Sequence, residues 1–244
     1  MVAGEASGDR LGASLIRAVR ERVPAARFEG VGGPLMIEAG LNPLFDMEPL
    51  AVMGLVDPIK KLPQLLRIRR GLNRHFSSAK PDLFLGIDAP DFNTGLELSL
   101  RRRGVLTAHY VSPSVWAWRS GRIKKIARAV DHMLVLLPFE ARFYAEHGVP
   151  ATFVGHPLAD EIPLVVDAAA SRKELGLPLS GPVVALLPGS RQSEISLLGR
   201  LFFETARRCR AARPNMQFVL PAANAARKRQ IDALVADSPD VPVT

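Results

Sequence analysis

The 244-residue chain has room for one large or two modest domains with true cores. Its 48% hydrophobic and 23% charged residues exclude a disordered protein, and apolar runs such as Met133–Pro138 fall far short of the roughly 20 residues that cross a bilayer. The single cysteine, Cys209, excludes an intrachain disulfide, and no Cys/His cluster has metal-ligand spacing.

A net charge of +8 favours anionic partners without choosing among nucleic acid, phospholipid headgroups and phosphorylated substrates. Gly4, Glu5, Ser7, Gly8 and Asp9 interrupt any leader pattern at once, so a cytoplasmic protein is expected.

Short apolar runs read as strands at Phe28–Val31, Leu83–Ile87, Leu106–Val111, Met133–Leu137, Thr152–Val154, Val183–Leu187 and Gln217–Leu220. Helical patterns lie between them at Leu11–Glu21, Ile59–Phe76, Thr94–Arg103, Arg122–Ala129, Phe139–His147, Ser193–Ala212 and Ala225–Ala236. Strands that do not alternate polar with apolar, separated by helices, predict a doubly wound α/β fold with a parallel sheet. Pro163, Ala168–Ala170, Pro178 and Gly181 break the pattern, which predicts a domain junction and two domains, 1–162 and 163–244. Both ends look cut. Only Met1–Ala3 precede the first glycine turn, and the second domain offers only two clear strands.

Ligands of such folds sit in the loops that follow strands. The first such loop, Ala3-Gly4-Glu5-Ala6-Ser7-Gly8-Asp9, suits a phosphate or sugar hydroxyl, or is a tight turn capped by Ser7 or Asp9. It lacks the Gly-Lys-Ser/Thr of a P-loop and the GxGxxG of a dinucleotide site. The second, Gly86-Ile87-Asp88-Ala89-Pro90-Asp91-Phe92-Asn93, puts two carboxylates at the end of a strand. Asp88 is placed to act as a general base and Asp91 to cap a helix starting near Asn93, or both form a turn around Pro90.

In Tyr110–Arg119 the only two tryptophans, Trp116 and Trp118, precede Arg119, Arg122 and Lys124. They suit a sugar face with an anionic group, or staple a loop to the core. Leu187-Pro188-Gly189-Ser190-Arg191 joins a strand to a helix and suits a diphosphate, the alternative being a solvated turn capped by Ser193. In Leu50–Phe76, Ile59, Leu62, Leu65, Leu66, Leu72 and Phe76 share a helical face, with Lys60, Arg67, Arg70 and Arg74 opposite. Such a stretch contacts an anionic membrane or covers the sheet, and the apolar Ala51–Val56 tips the reading to membrane contact. His156 is placed near a cleft or in a structural turn; His75, His109, His132 and His147 carry no functional reading.

The strings AGEASGD, GVGGPLM, LAVMGLVD, GIDAPDFN, YVSPSVWAW, LPFE, FVGHPLAD and LLPGSR, in this order, resemble the lipid-A-disaccharide synthases. The resemblance runs from Val2 through Arg191 and more weakly to the end. It implies a GT-B fold of two Rossmann-like domains, an acceptor-side domain (1–162) and a nucleotide-sugar-side domain (163–244), the second incomplete.

The resemblance further implies an inverting glycosyltransferase of lipid A biosynthesis. UDP-2,3-diacylglucosamine and 2,3-diacylglucosamine 1-phosphate would be joined, without metal or organic cofactor, into the disaccharide phosphate plus UDP. Asp88 would be the catalytic base. Gly4, Glu5, Ser7, Gly8, Asn93, Ser112, Trp116 and Arg119 would line the substrate, and Gly189, Ser190 and Arg191 the donor diphosphate. Met53, Leu55, Leu62, Leu66, Arg67 and Arg70 would touch the cytoplasmic face of the inner membrane. The full-length protein would be a homodimer that binds no nucleic acid, and the chain as it stands would be inactive. The competing expectations are another UDP-sugar enzyme of this fold and a basic peripheral membrane-binding module with a degenerate cleft.

Overall fold

The computed structural model describes residues 1–51 and 56–244, the side chains of 56–61 excepted. Neighbouring residues of the apolar runs point into different layers, which is why the runs do not alternate with polar residues. Val2 and Phe84 pack with Ile68, Leu72, Phe76, Leu96 and Leu100, whereas Ala3, Leu85 and Ile87 pack with Leu11, Ile16 and Met36. A strand apolar on both faces must be covered on both.

The first unit, Met1–Ile162, meets that demand. In chain order it runs β1 (Val2–Ala3), α1 (Ala6–Arg22), β2 (Phe28–Gly30), α2 (Pro34–Ala39), β3 (Leu41–Pro43), α3 (Val56–Ala79) and β4 (Phe84–Ile87). It continues with α4 (Pro90–Arg101), β5 (Thr107–Tyr110), α5 (Ile123–Ala129), β6 (His132–Val135), α6 (Pro138–Glu146), β7 (Ala151–Phe153) and α7 (Leu158–Glu161). Five strands pair in parallel in the order β1-β4-β5-β6-β7, and β2 pairs in parallel with β3. A parallel bridge between Val2 and Val31 joins the two sets, with Ala3 N donating to Val31 O at 2.9 Å and Val31 N to Met1 O at 2.9 Å. The sheet thus reads β3-β2-β1-β4-β5-β6-β7, and its winding reverses between β1 and β4. At such a switch point the loops after the two strands diverge and leave a crevice at their C-terminal ends.

The second unit, Pro163–Thr244, holds α8 (Ala168–Glu174), β8 (Val183–Ala185), α9 (Gln192–Ala212), β9 (Gln217–Val219) and α10 (Ala225–Ala236). The parallel pair β8–β9, extended by a bridge from Phe218 to Val243, packs with Ile195 and Phe203 of α9 and Ile231 of α10. Among the described residues no helix is long and apolar enough to cross a membrane, and no cluster of His, Cys, Asp or Glu could hold a metal.

Two local readings change. The α3 helix begins at Val56 rather than Ile59, so Pro63 lies in its interior. Its buried stripe is Ile68, Leu72 and Phe76 at i, i+4 and i+8, while Leu62 is 49% exposed.

Asp9 does act as a cap, but for a different helix. It lies within α1, almost fully buried, and its carboxylate accepts from Gly33 N (2.8 Å), Leu35 N (3.1 Å) and Met36 N (2.9 Å). Those groups are the unpaired first-turn donors of α2, whose own N-cap, Gly33, has no side chain to offer. Asp9→Ala strips all three donors of their partner at a buried site and should cost on the order of 2–3 kcal/mol. Urea unfolding checks this; a midpoint like that of the unaltered chain would show the cap to be unimportant.

Candidate active site

Two loops meet at the switch point between β1 and β4. After β4 the chain turns through Asp88 and Ala89, which have φ of +51° and +44°, a conformation that non-glycine residues rarely adopt. Each such residue costs on the order of 1 kcal/mol or more and persists only where its surroundings dictate it. Here they do. Asp88 N donates to Tyr110 O at 2.8 Å, and the Asn93 amide donates to Asp88 O (2.8 Å), Ile87 O (3.4 Å) and Val2 O (3.1 Å). A Cβ on Gly4 would lie 2.7 Å from the Ala89 Cβ, so only glycine lets the two loops approach this closely. Asp88 is left half-buried at the end of β4.

The α4 helix starts at Pro90, earlier than its apolar pattern predicts, with Pro90 in its first turn. Asp91 therefore sits inside the first turn rather than capping it. It is exposed and pairs with Arg122 at 2.6 Å.

Asn93, expected among the substrate contacts, is fully buried, and its amide is committed to the three carbonyls. Close by lie Glu97, one turn further along α4, and His109 of β5, which stands in register with Gly86. Glu97 Oε1 and His109 Nδ1 are 2.6 Å apart, with 0% and 3% of the side chains exposed. A Cβ on Gly86 would fall 2.1 Å from Glu97 Oε1, so this glycine makes the space for the pair. Burial pulls the imidazole pKa down, but the Glu97 charge and hydrogen bond, with the charge of Asp88, outweigh it and hold His109 above the ordinary histidine value.

In the loop after β5 the anchor is Val115, 1% exposed. Ser112 Oγ lies 2.9 Å from the hydroxyl of buried Tyr144, whose pKa burial pushes up to about 12. Trp116 donates to Glu140 Oε1 at 3.2 Å and meets the Phe139 ring edge-on, yet is 42% exposed. Trp118 is 68% exposed, with the Arg119 guanidinium 4.2 Å from its ring centroid. Stapling thus falls to Val115 and to the inner edge of Trp116, while Trp118 and the rest of Trp116 present aromatic surface to solvent. Glu5 accepts from the exposed Ser7 hydroxyl at 2.7 Å, while Gly4 and Gly8 are buried. His156 accepts from Leu158 N at 3.1 Å and so caps a local turn.

In the second unit, Ser190 N (2.9 Å) and Arg191 N (3.0 Å) donate to Glu194 Oε2, and Arg191 Nη1 donates to Glu194 Oε1 at 2.7 Å. Burial works against the Glu194 charge, but these bonds prevail and hold its carboxyl below its usual range. The donors expected to meet a diphosphate are engaged by the helix's own carboxylate.

Residues 1–241 match the family model described as Lipid-A-disaccharide synthetase. The chain belongs to that family. A lipid-A-disaccharide synthase of Hahella chejuensis is 58% identical over 232 residues, 95% of this chain and 59% of the relative. That of Pseudomonas fluorescens is 58% identical over 244 residues, all of this chain and 64% of the relative. The chain therefore spans about three fifths of the length of these relatives. The solved structure of a UDP-GlcNAc 2-epimerase from Neisseria meningitidis, bound to UDP-GlcNAc, aligns with a TM-score of 0.59 at 9% identity, over 96% of this chain and 69% of that one. At that identity the likeness concerns the fold alone, which is α/β of the GT-B kind.

Of the family-implied membrane contacts, Met53 and Leu55 lie outside the described residues. Leu62, Arg67 and Arg70 are exposed on α3, and Leu66 is half-buried. The pair that sequence reasoning passed over is Glu97–His109. Its signal is Asn93, Leu96, Glu97 and Leu100 at helical spacing, which puts a carboxylate on the buried face of α4.

Two stability measurements follow. Gly86→Ala should cost about 1–3 kcal/mol by overpacking, whereas Gly121→Ala, where nothing lies within 4 Å of an added Cβ, should stay within about 0.5 kcal/mol; equal urea midpoints for the two would refute the packing argument. Because the folded value of His109 is raised, its contribution to stability is complete below about pH 6.5 and is lost as pH rises through the folded value. The urea midpoint should decline over that window, and His109→Gln should lack the decline.

Proposed function

We propose that the chain forms the acceptor-side unit and part of the nucleotide-sugar-side unit of a lipid-A-disaccharide synthase. The full-length enzyme transfers diacylglucosamine from its UDP donor to the 6-hydroxyl of diacylglucosamine 1-phosphate, releasing UDP. The observation that carries this reading is Asp88: a half-buried carboxylate in a constrained turn at the switch point of a parallel sheet. Family membership supplies the reaction.

In the mechanism, Asp88 accepts the proton of the acceptor hydroxyl as its oxygen attacks the anomeric carbon. The bond to the diphosphate breaks on the opposite side, so configuration inverts in one displacement and one base suffices. Gly4, Ser7 and Gly8 border the same crevice, and the solvent-facing rings of Trp116 and Trp118 suit a sugar face. Arg191 neutralises charge on the departing UDP once the donor diphosphate competes with Glu194 for it. The exposed Leu62, Arg67 and Arg70 of α3 fit contact with the anionic cytoplasmic face of the inner membrane, which would bring the enzyme to its acylated substrates.

A full-length enzyme carrying these residues tests the reading, with acylated donor and acceptor in detergent. Asp88→Ala should lower turnover about 10²–10⁴-fold with UDP affinity preserved, and near-normal turnover would reject the base. Arg191→Ala should impair use of donor more than of acceptor; equal impairment would remove its diphosphate role. Transfer between unacylated sugars at the same rate would favour another UDP-sugar enzyme.

A further inference from the structure

We propose that Glu97 and His109 are positioning residues for Asp88: a cationic imidazole, gripped by Glu97 inside the sheet, lies behind the β4 turn and keeps the Asp88 carboxylate ionised and in place. This rests on the reading of Asp88 as the base.

The argument begins with cost. Both side chains are buried, and they share a single contact of 2.6 Å. Among the described residues, Glu97 Oε2 has no hydrogen-bond partner, and the His109 ring has besides Glu97 only the Val111 backbone. Buried ion pairs of this kind are often no more stabilising than apolar residues of the same volume, and unpaired polar atoms make the balance worse. A core between α4 and β5 built for stability alone would carry leucine and valine, as the surrounding cluster of Phe84, Leu96 and Leu100 does. The sheet even gives up a side chain at Gly86 to admit the pair. Such an outlay is explained where the charge acts on something nearby.

That something is two residues beyond Gly86. Asp88 is the other carboxylate whose charge acts on His109, and attraction between two charges is mutual. The field that favours the imidazolium therefore favours ionised Asp88 equally. Glu97 and Asp88 are the charged groups that act on this ring, from α4 and from the β4 turn. Mechanically the link is α4 itself: Asn93 holds the Asp88 carbonyl, and Glu97, one turn later on the same face, holds the histidine. The pair thus fixes the charge state of the base, and the amide fixes its position.

The test compares the pH dependence of kcat/KM in a full-length enzyme carrying these residues with that of its Glu97→Gln and His109→Gln variants. Loss of the cation should move the acidic limb to higher pH by about one unit, with KM for both substrates little changed. A purely structural role would scale the whole profile without moving the limb, so an unmoved limb in folded variants overturns the proposal. In parallel, nitrogen NMR of the His109 ring in the present chain should report an imidazolium that persists above the ordinary histidine range. A ring that is neutral at neutral pH overturns the proposal whether or not the variants fold. If Asp88→Ala keeps turnover, the base reading itself falls and takes this proposal with it. If Asp88→Ala is inactive while the limb stays put, only the pair's role is lost.

Discussion

One side-chain amide governs the site. Asn93 donates to the Val2 carbonyl of β1, to the last carbonyl of β4 and to that of Asp88, so it ties the two strands together at the switch point. Carbonyls at the end of a buried parallel strand need donors as much as those within it. A donor reaching back from the following helix fixes where that helix must begin, and α4 accordingly starts at Pro90, only two residues after Asp88. A chain reversing that tightly has few backbone solutions. The one adopted places Asp88 and Ala89 in the left-handed region and brings Ala89 against Gly4. The strain of the turn and the absence of a side chain at Gly4 are thus two consequences of one hydrogen-bonded constraint, and the placement of Asp88 at the end of β4 is its product.

Buried carboxylates serve as structural joints elsewhere in the same unit. Asp9 spans α1 and the N-terminus of α2 through three backbone donors, and Glu97 spans α4 and β5 through His109. The two differ in what they leave unpaired. Asp9 has partners on both oxygens, as a framework group should, whereas Glu97 Oε2 is orphaned among the described residues. A satisfied network serves rigidity, and an unsatisfied one needs another reason to exist.

The layered α/β architecture was legible because it depends on patterns local to each segment. Runs such as Phe84–Ile87 and Val183–Ala185 are short and apolar, and the helices between them carry stripes at helical spacing. What escaped depends on partners distant in sequence. Asp9 reads as a local cap until Gly33 is folded beside it, 24 residues on. His109 in Thr107–Tyr110 looks like any polar residue of a strand, since Gly86 and Glu97 meet it only through sheet register and helix phase. β3, with Asn42 and Pro43 in a three-residue strand, carries no apolar pattern and forms because β2 offers it an edge. The apolar face of α3 begins at Ile59, whereas the helix opens three residues earlier, at Val56, and holds Pro63 in its interior.

The loop at Arg191 shows how far such geometry reaches toward function. Its backbone donors and guanidinium point at one carboxylate, Glu194, which already supplies the negative charge that a helix N-terminus favours. On the proposed role of this loop, an incoming diphosphate would offer the same donors more charge and more acceptor oxygens, so binding there would be an exchange of acceptors rather than the filling of a vacant site. Exchange has a thermodynamic consequence. The affinity of the loop for an anion is the difference between the new contacts and those of Glu194, which moderates binding of any simple phosphate. Discrimination then falls to whatever holds the rest of the donor. In the proposed reaction a diphosphate bound too tightly on its own would retain UDP after transfer, and a helix carboxylate ready to retake its arginine would be a physical means of letting it go.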